Sequence, residues 1–392
     1  MNKREKLFEK FPPVTTEKWM EKITADLKGA DFSKRLVWKT REGFDVMPFY
    51  RQEDSDKLHH IHTLPGEFPF VRGSRVRSNE WFIRQDITVT DFEEANTRAL
   101  DILMKGITSL GFIIADPEKV TEENISLLLK DIHCDSVELN FVTAGRAEEL
   151  LAALTSVMRT SGTDLPKVNG TVAADPLGRL LTNGKLCVTI EEGLDYLAGL
   201  VKSSSAIPGL RCIQAGGTVF SNAGAGVVME LACTLSMANE YMAALTARGI
   251  TPDVAASKIK FSFGIGPDFF PESAKLRAAR MLWALIVKGY KPKSEQSAVM
   301  NIHSVTGRWN KTLFDPYVNM LRTQTEAMSA VMGGADSVTV EPFDIVFSTP
   351  DDFSERIARN QQLLLKEESH LDMVADPGAG SYYLEKLTSL IA

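Results

Sequence analysis

Three histidines, His59, His60 and His62, stand close together, and imidazole is a common metal ligand. No cysteine or carboxylate is spaced to complete a tetrahedral set with them, and on an extended segment neighbouring side chains point to alternating sides. In polar surroundings they read as a solvated surface cluster. His303 and Arg308, in Ile-His-Ser-Val-Thr-Gly-Arg-Trp309, follow a strand-like run and could hold a carboxylate or phosphate; a hydrogen-bonded structural histidine fits equally well. The glycine-rich stretch Ala215–Gly226 lies between a strand pattern and a long helical one, where a ligand can approach the backbone and an anion can meet a helix N-terminus. It lacks the third glycine of the dinucleotide fingerprint and the Gly-Lys-Ser/Thr of a phosphate loop. No Gly-x-Ser-x-Gly elbow or His-Glu-x-x-His motif is present, so hydrolase chemistry has no foothold. The four cysteines, Cys134, Cys187, Cys212 and Cys233, form no Cys-x-x-Cys pair and read as buried thiols of a reducing compartment.

From Thr90 onward, β-rich runs alternate with segments of helical periodicity, as βα units around a parallel sheet require. The strand candidates are Thr108–Ile114, Ser136–Phe141, Lys167–Ala173, Leu210–Ala215, Lys258–Ile265, Ala298–His303, Ser337–Glu341 and an eighth near Met373. Capping boxes are expected at Thr90-Asp-Phe-Glu93 and Thr189-Ile-Glu-Glu192. Helices are expected from Pro271 to Gly289, from Val227 to Arg248 and from about Pro316 to Met332, each stopped by glycine. Eight units in this span predict an α/β fold, a (β/α)8 TIM barrel over residues 81–392, with an open doubly wound sheet as the alternative. Residues 1–80 carry Trp19, Phe32, Trp38, Phe49, Tyr50, Phe68 and Phe70 with little periodicity beyond a helix around Thr15 to Lys28. They read as an extended N-terminal arm that lies against its own core or a second chain.

At 392 residues, 44% hydrophobic and 24% charged, the chain has the composition of a globular protein, not a fibrous or disordered one. No run approaches the ~20 apolar residues of a membrane span and no secretory signal opens the sequence, so a cytoplasmic protein, or an organelle protein already processed, is expected. A net charge of -7 argues against nucleic acid or an anionic membrane as partner.

Several long runs resemble one family. Asp268-Phe-Phe-Pro-Glu-Ser-Ala-Lys-Leu-Arg-Ala-Ala-Arg-Met-Leu-Trp-Ala284, Ile302-His-Ser-Val-Thr-Gly307, Asp351-Asp-Phe-Ser-Glu-Arg-Ile-Ala-Arg-Asn-Gln361 and Asp376-Pro-Gly-Ala-Gly-Ser-Tyr-Tyr-Leu-Glu385 look like the substrate barrel of methylmalonyl-CoA mutases. Trp81-Phe-Ile-Arg-Gln85, Gly170-Thr171 and Asn222-Ala-Gly-Ala225 fall in register with it. The departures are as informative. The resemblance implies a Tyr where Asp86 stands, a substrate-contacting Gln at Ala173, and Ser-Gly-Tyr-His where this chain has Gly216-Gly-Thr218-Val219. His303 keeps a family His and compensates for none of these losses. No catalytic residue is therefore expected, with Asp86, Ala173, Thr218 and Val219 as degenerate mouth positions and His303 as the remaining polar candidate.

The family's radical isomerisation uses adenosylcobalamin held by a separate domain over the barrel mouth. Asp131-Ile-His133-Cys-Asp-Ser136 resembles the Asp-x-His-x-x-Gly signature of some cobalamin proteins, but it ends in Ser and falls inside the barrel, so it reads as coincidence. The sequence ends at Ala392, where the barrel ends, and no cobalamin-like domain is expected on this chain. The resemblance implies the barrel of a small, non-catalytic subunit paired in a heterodimer, partly through its arm, with a catalytic large subunit that binds the cofactor. The alternatives are a stand-alone acyl-CoA or small-ligand binding barrel, and a barrel isomerase with different chemistry. The family threads CoA along the barrel axis between small side chains, and Lys258 and Lys260 are expected near that path, where they would plug it.

Overall fold

The computed structural model describes residues 11–392, so the first ten residues of the expected arm lie outside it. The chain forms two compact units, divided between Arg51 and Gln52. In the first, a helix runs Thr16–Asp26 with the Thr15 hydroxyl as its N-cap, and β1 (Trp38–Lys39) pairs antiparallel with β2 (Asp45–Val46). Trp19 meets Phe49 edge-on at 5.0 Å and carries the Arg51 guanidinium over its ring at 5.0 Å.

The second unit is a closed parallel barrel. Its strands are β3 (Phe82–Val89), β4 (Ser109–Ile114), β5 (Glu138–Thr143), β6 (Gly170–Ala174), β7 (Leu210–Gly216), β8 (Ile259–Ile265), β9 (Ile302–Thr306) and β10 (Ser337–Thr339). β10 pairs with β3 and closes the ring, which excludes the open doubly wound sheet. Two corrections follow. Phe82–Val89, absent from the strand candidates, is the first strand of the barrel, and the chain near Met373 forms turns. In β3, Arg84 and Asp86 interrupt the apolar pattern because they face inward, while Ile83, Ile87 and Val89 supply the buried outer face.

Alternation also builds β8. Ile259, Phe261, Phe263 and Ile265 pack outward and Lys260, Ser262 and Gly264 turn inward, with all seven residues buried. Phe261 meets Trp283 of the helix Phe269–Gly289 at 4.8 Å, and Phe112 of β4 stacks on Phe141 of β5 at 5.5 Å. Each such side chain is worth roughly 1.5–3 kcal/mol of apolar burial. The helices Val227–Ala247 and Val318–Met332 run close to their expected bounds. The Thr189 capping box forms with Glu192; at the other site Asp91, one residue past Thr90, is the cap and accepts from the Glu94 N–H at 2.9 Å.

Residues 52–80 belong to the barrel unit, where they are clamped to the last helix. Arg72 reaches Asp376 at 3.0 Å and Glu385 at 2.8 Å, and Arg277 pairs with the same two carboxylates. His60 joins them 3.1 Å from Glu385 and is buried, unlike the exposed His59 and His62, so the three do not form one solvated cluster.

Candidate functional site

A barrel of eight strands is ordinarily filled by layers of branched aliphatic side chains. This one is filled by charge. Lys260 on β8 reaches across the interior to β5, where its ammonium donates to Glu138 and Asn140 at 2.9 Å each. The Ser109 hydroxyl donates to the other Glu138 oxygen at 2.6 Å, and the Asn140 amide donates to Ser109. On β3, Arg84 Nε donates to Asp86 at 2.6 Å. That pair lies over Gly111, the residue opposite Asp86 in register; a Cβ at Gly111 would sit 1.8 Å from the Asp86 carboxylate oxygen and 2.9 Å from Arg84 Nε. Glycine is required there by space.

These charges set the protonation of the interior. Burial alone would raise the Glu138 pKa, but Lys260, the Ser109 hydroxyl and Arg84 overcome it and hold the carboxyl down at about 2. Burial lowers Lys260, and Glu138 opposes that. His303 is pushed well below the usual imidazole range by burial and by its two cationic neighbours, Arg84 and Lys260. Its Nδ1 lies 2.9 Å from the Ser337 hydroxyl and its Nε2 3.5 Å from that of Thr339, so this is a neutral imidazole with both nitrogens occupied. Lys258 does not cross the axis. Its ammonium donates to the Pro208 and Leu210 carbonyls at 2.9 Å each, at the start of β7, so of the two lysines only Lys260 fills the interior.

Above this layer, at the C-terminal mouth, is a cavity of about 140 Å3. It brings together Asp86, Ala173, Thr218 and His303 from four different segments; Val219, half-buried on the short helix Thr218–Asn222, does not line it. Arg308 forms a two-pronged pair with Glu341 at 2.7 and 2.5 Å beside a second cavity of about 290 Å3, which Arg84 and Asp86 also border. The glycine-rich stretch is explained by packing: a Cβ at Gly217 would lie 2.6 Å from the Thr234 hydroxyl and 2.7 Å from the Ser262 carbonyl.

Behind β8 a second charged cluster braces the mouth. Glu230 accepts from the Gly264 N–H at 2.7 Å, Lys275 donates to the Gly264 carbonyl at 2.7 Å, and Lys275 pairs with both Glu230 and Glu272. Burial raises the Glu230 pKa to about 7 despite Lys275. The Arg84, Glu138 and Asn140 part of the interior was missed by sequence reasoning, although a signal was there. In β5, Glu138 and Asn140 alternate with Leu139 and Phe141, just as Lys260 and Ser262 alternate with Phe261 and Phe263 in β8.

Comparison with known proteins places these features in a family. Residues 39–121 and 118–392 match the family described as methylmalonyl-CoA mutase. The chain is 48% identical over 391 residues to the methylmalonyl-CoA mutase small subunit of Porphyromonas gingivalis, covering 99% of this chain and 62% of that protein. It is 33% identical to the methylmalonyl-CoA mutase small subunit of Streptomyces virginiae, over 97% of this chain and 62% of that one. With the methylmalonyl-CoA mutase of Rhizobium meliloti it shares 34% identity, over 91% of this chain and 54% of the relative. The chain thus spans less than two thirds of the length of each of these relatives.

Proposed function

The chain belongs to the methylmalonyl-CoA mutase family, and from that premise we propose that it acts as the non-catalytic small subunit of a heterodimeric mutase interconverting methylmalonyl-CoA and succinyl-CoA. The observation that carries this reading is the Lys260–Glu138 bridge across the barrel axis, reinforced by the Arg84–Asp86 pair. A thioester threaded along the axis would have to displace buried, mutually satisfied charges, at several kcal/mol for each charge left unpaired. The mouth supports the same conclusion. Ala173 and Val219 have no proton or hydrogen bond to offer, and Asp86 is committed to Arg84. His303 is neutral and tied to Ser337 and Thr339, so it is a poor general acid.

Adenosylcobalamin does not fit the residues present. His133, the imidazole in the cobalamin-like run, is exposed on the loop before β5, at the barrel end opposite the mouth. The cofactor is assigned to the large subunit. The part of the expected arm that lies outside the barrel unit, residues 1–51, is assigned a share of the subunit contact, supported by Trp19 and Trp38, which remain 42% and 49% exposed.

Co-expression with a catalytic large subunit tests the assignment. A companion subunit elutes as a stable one-to-one complex, as obligate interfaces burying more than ~2,000 Å2 do. Separate elution of the two chains at micromolar concentration refutes it and favours the stand-alone binding barrel.

A further inference from the structure

Where the charged interior meets the mouth, a buried hydroxyl lacks a partner beside two cationic side chains. The cavity there measures about 140 Å3. At about 30 Å3 per water it has room for roughly four or five waters, or for an organic ion of that many non-hydrogen atoms. It is well below the ~300–1,000 Å3 typical of drug-sized ligands.

Its walls are of two kinds. Arg84, Lys260 and Thr171 are among its polar lining residues, and Val142, Ala173 and Val305 among its apolar ones. Arg84 commits Nε to Asp86, and among the described residues its two terminal amino groups find no acceptor. Lys260 commits two bonds, to Glu138 and Asn140, which leaves its third proton. Thr171 is only 2% exposed and its hydroxyl has no partner at all. The Thr171 hydroxyl is thus a buried donor without an acceptor, which costs free energy, and Arg84 and Lys260 line the same small space. Asp86 is the single carboxylate in the lining and is already paired. What the donors lack is an oxyanion, and a planar one suits the guanidinium fork. The apolar wall sets a further condition. Val142 is 39% exposed beside the mouth, and a hydrocarbon end placed against it, Ala173 and Val305 would leave water.

We propose that this cavity is a binding site for a short-chain carboxylate, with the carboxylate held by Arg84, Lys260 and Thr171 and the alkyl end against Val142, Ala173 and Val305. The site goes beyond the companion-subunit reading and does not rest on it, because it needs neither CoA nor a second chain. Its occupant ties β3, β6 and β8 together, so the folded barrel gains stability as the acid accumulates.

Isothermal titration of sodium propionate into the full chain tests this, with sodium sulfate as the inorganic oxyanion and 1-propanol as the uncharged alkyl control. Propionate binds saturably at one per chain, sulfate binds more weakly and propanol does not bind. Thr171→Val keeps the volume and removes one donor, weakening propionate roughly 3- to 10-fold. Ala173→Leu fills the apolar side without touching a charge and abolishes binding, with circular dichroism confirming the fold. Three results each overturn the proposal: no saturable propionate uptake, meaning that the cavity holds only water; sulfate binding as tightly as propionate; or Thr171→Val binding propionate as the parent does.

Discussion

Replacing Lys260 with methionine puts a number on the charged interior. Glu138 is 2% exposed, and its surroundings hold the carboxyl pKa at about 2 against an ordinary 4.5. At about 1.36 kcal/mol per pKa unit, the folded state favours the ionised form by roughly 3 kcal/mol. That agrees with the ~3–5 kcal/mol lost when one partner of a buried pair is removed. The pH dependence follows from the direction of the shift. In the parent chain the folded pKa lies below the unfolded one, so the stabilisation is fully present above about pH 4.5 and fades as pH falls toward 2. In Lys260→Met, burial acts without its main opponent and moves the Glu138 pKa up, so the orphaned carboxylate is most costly at neutral pH and is relieved by protonation in acid. Urea unfolding followed by circular dichroism therefore shows a deficit of about 3–5 kcal/mol at pH 8 that narrows by pH 5. Adding Glu138→Gln removes the orphan and recovers most of the loss. A deficit under about 1 kcal/mol at pH 8, or a double variant no more stable than the single one, refutes the claim that this bridge organises the interior.

Three further outcomes are expected. Gly111→Ala destabilises by roughly 1–3 kcal/mol in the same assay because its methyl displaces the Arg84–Asp86 pair; the ~0.4–1 kcal/mol gain that chain entropy alone gives such a change would show that the pair does not sit there. Glu230, whose folded pKa is raised to about 7, costs stability as pH rises from about 5 to 8, so Glu230→Gln flattens that part of the stability profile while Lys275→Met steepens it; a parent profile that is flat or rising there counts against the cluster. His303, its pKa pushed down by burial, Arg84 and Lys260, gives NMR ring signals that do not titrate between pH 8 and 6; protonation with a midpoint near 6.5 would mean that the ring is not enclosed as described.

The barrel was legible because strands such as β4, β5 and β8 carry outward-facing apolar residues at alternate positions and glycine follows several of the helices. β3 was not, because Arg84 and Asp86 on its inner face and Gln85 on its outer one break the apolar pattern, and inward-facing charge in a barrel strand looks like a loop in sequence. The eighth strand expected near Met373 is a run of turns. At the mouth, family register brought Asp86, Ala173, Thr218 and His303 to one cavity, since the positions follow strand ends that the fold gathers. What register does not convey is which partner a charge chooses. Lys258, just before β8, and Lys260, within it, are two residues apart, yet one caps backbone carbonyls beside β7 and the other crosses to β5. That choice depends on Glu138, 122 positions away in sequence. His60 shows the same limit: its burial comes from Glu385 on the last helix, which its polar neighbours give no reason to expect.

The central claim is that this barrel has no catalytic capacity of its own. Its most direct test is an assay of the purified full chain, free of any other subunit, with adenosylcobalamin and methylmalonyl-CoA, following succinyl-CoA by chromatography. The account predicts no succinyl-CoA from the chain alone and turnover once a catalytic large subunit is added. Succinyl-CoA formed by the chain alone would contradict it.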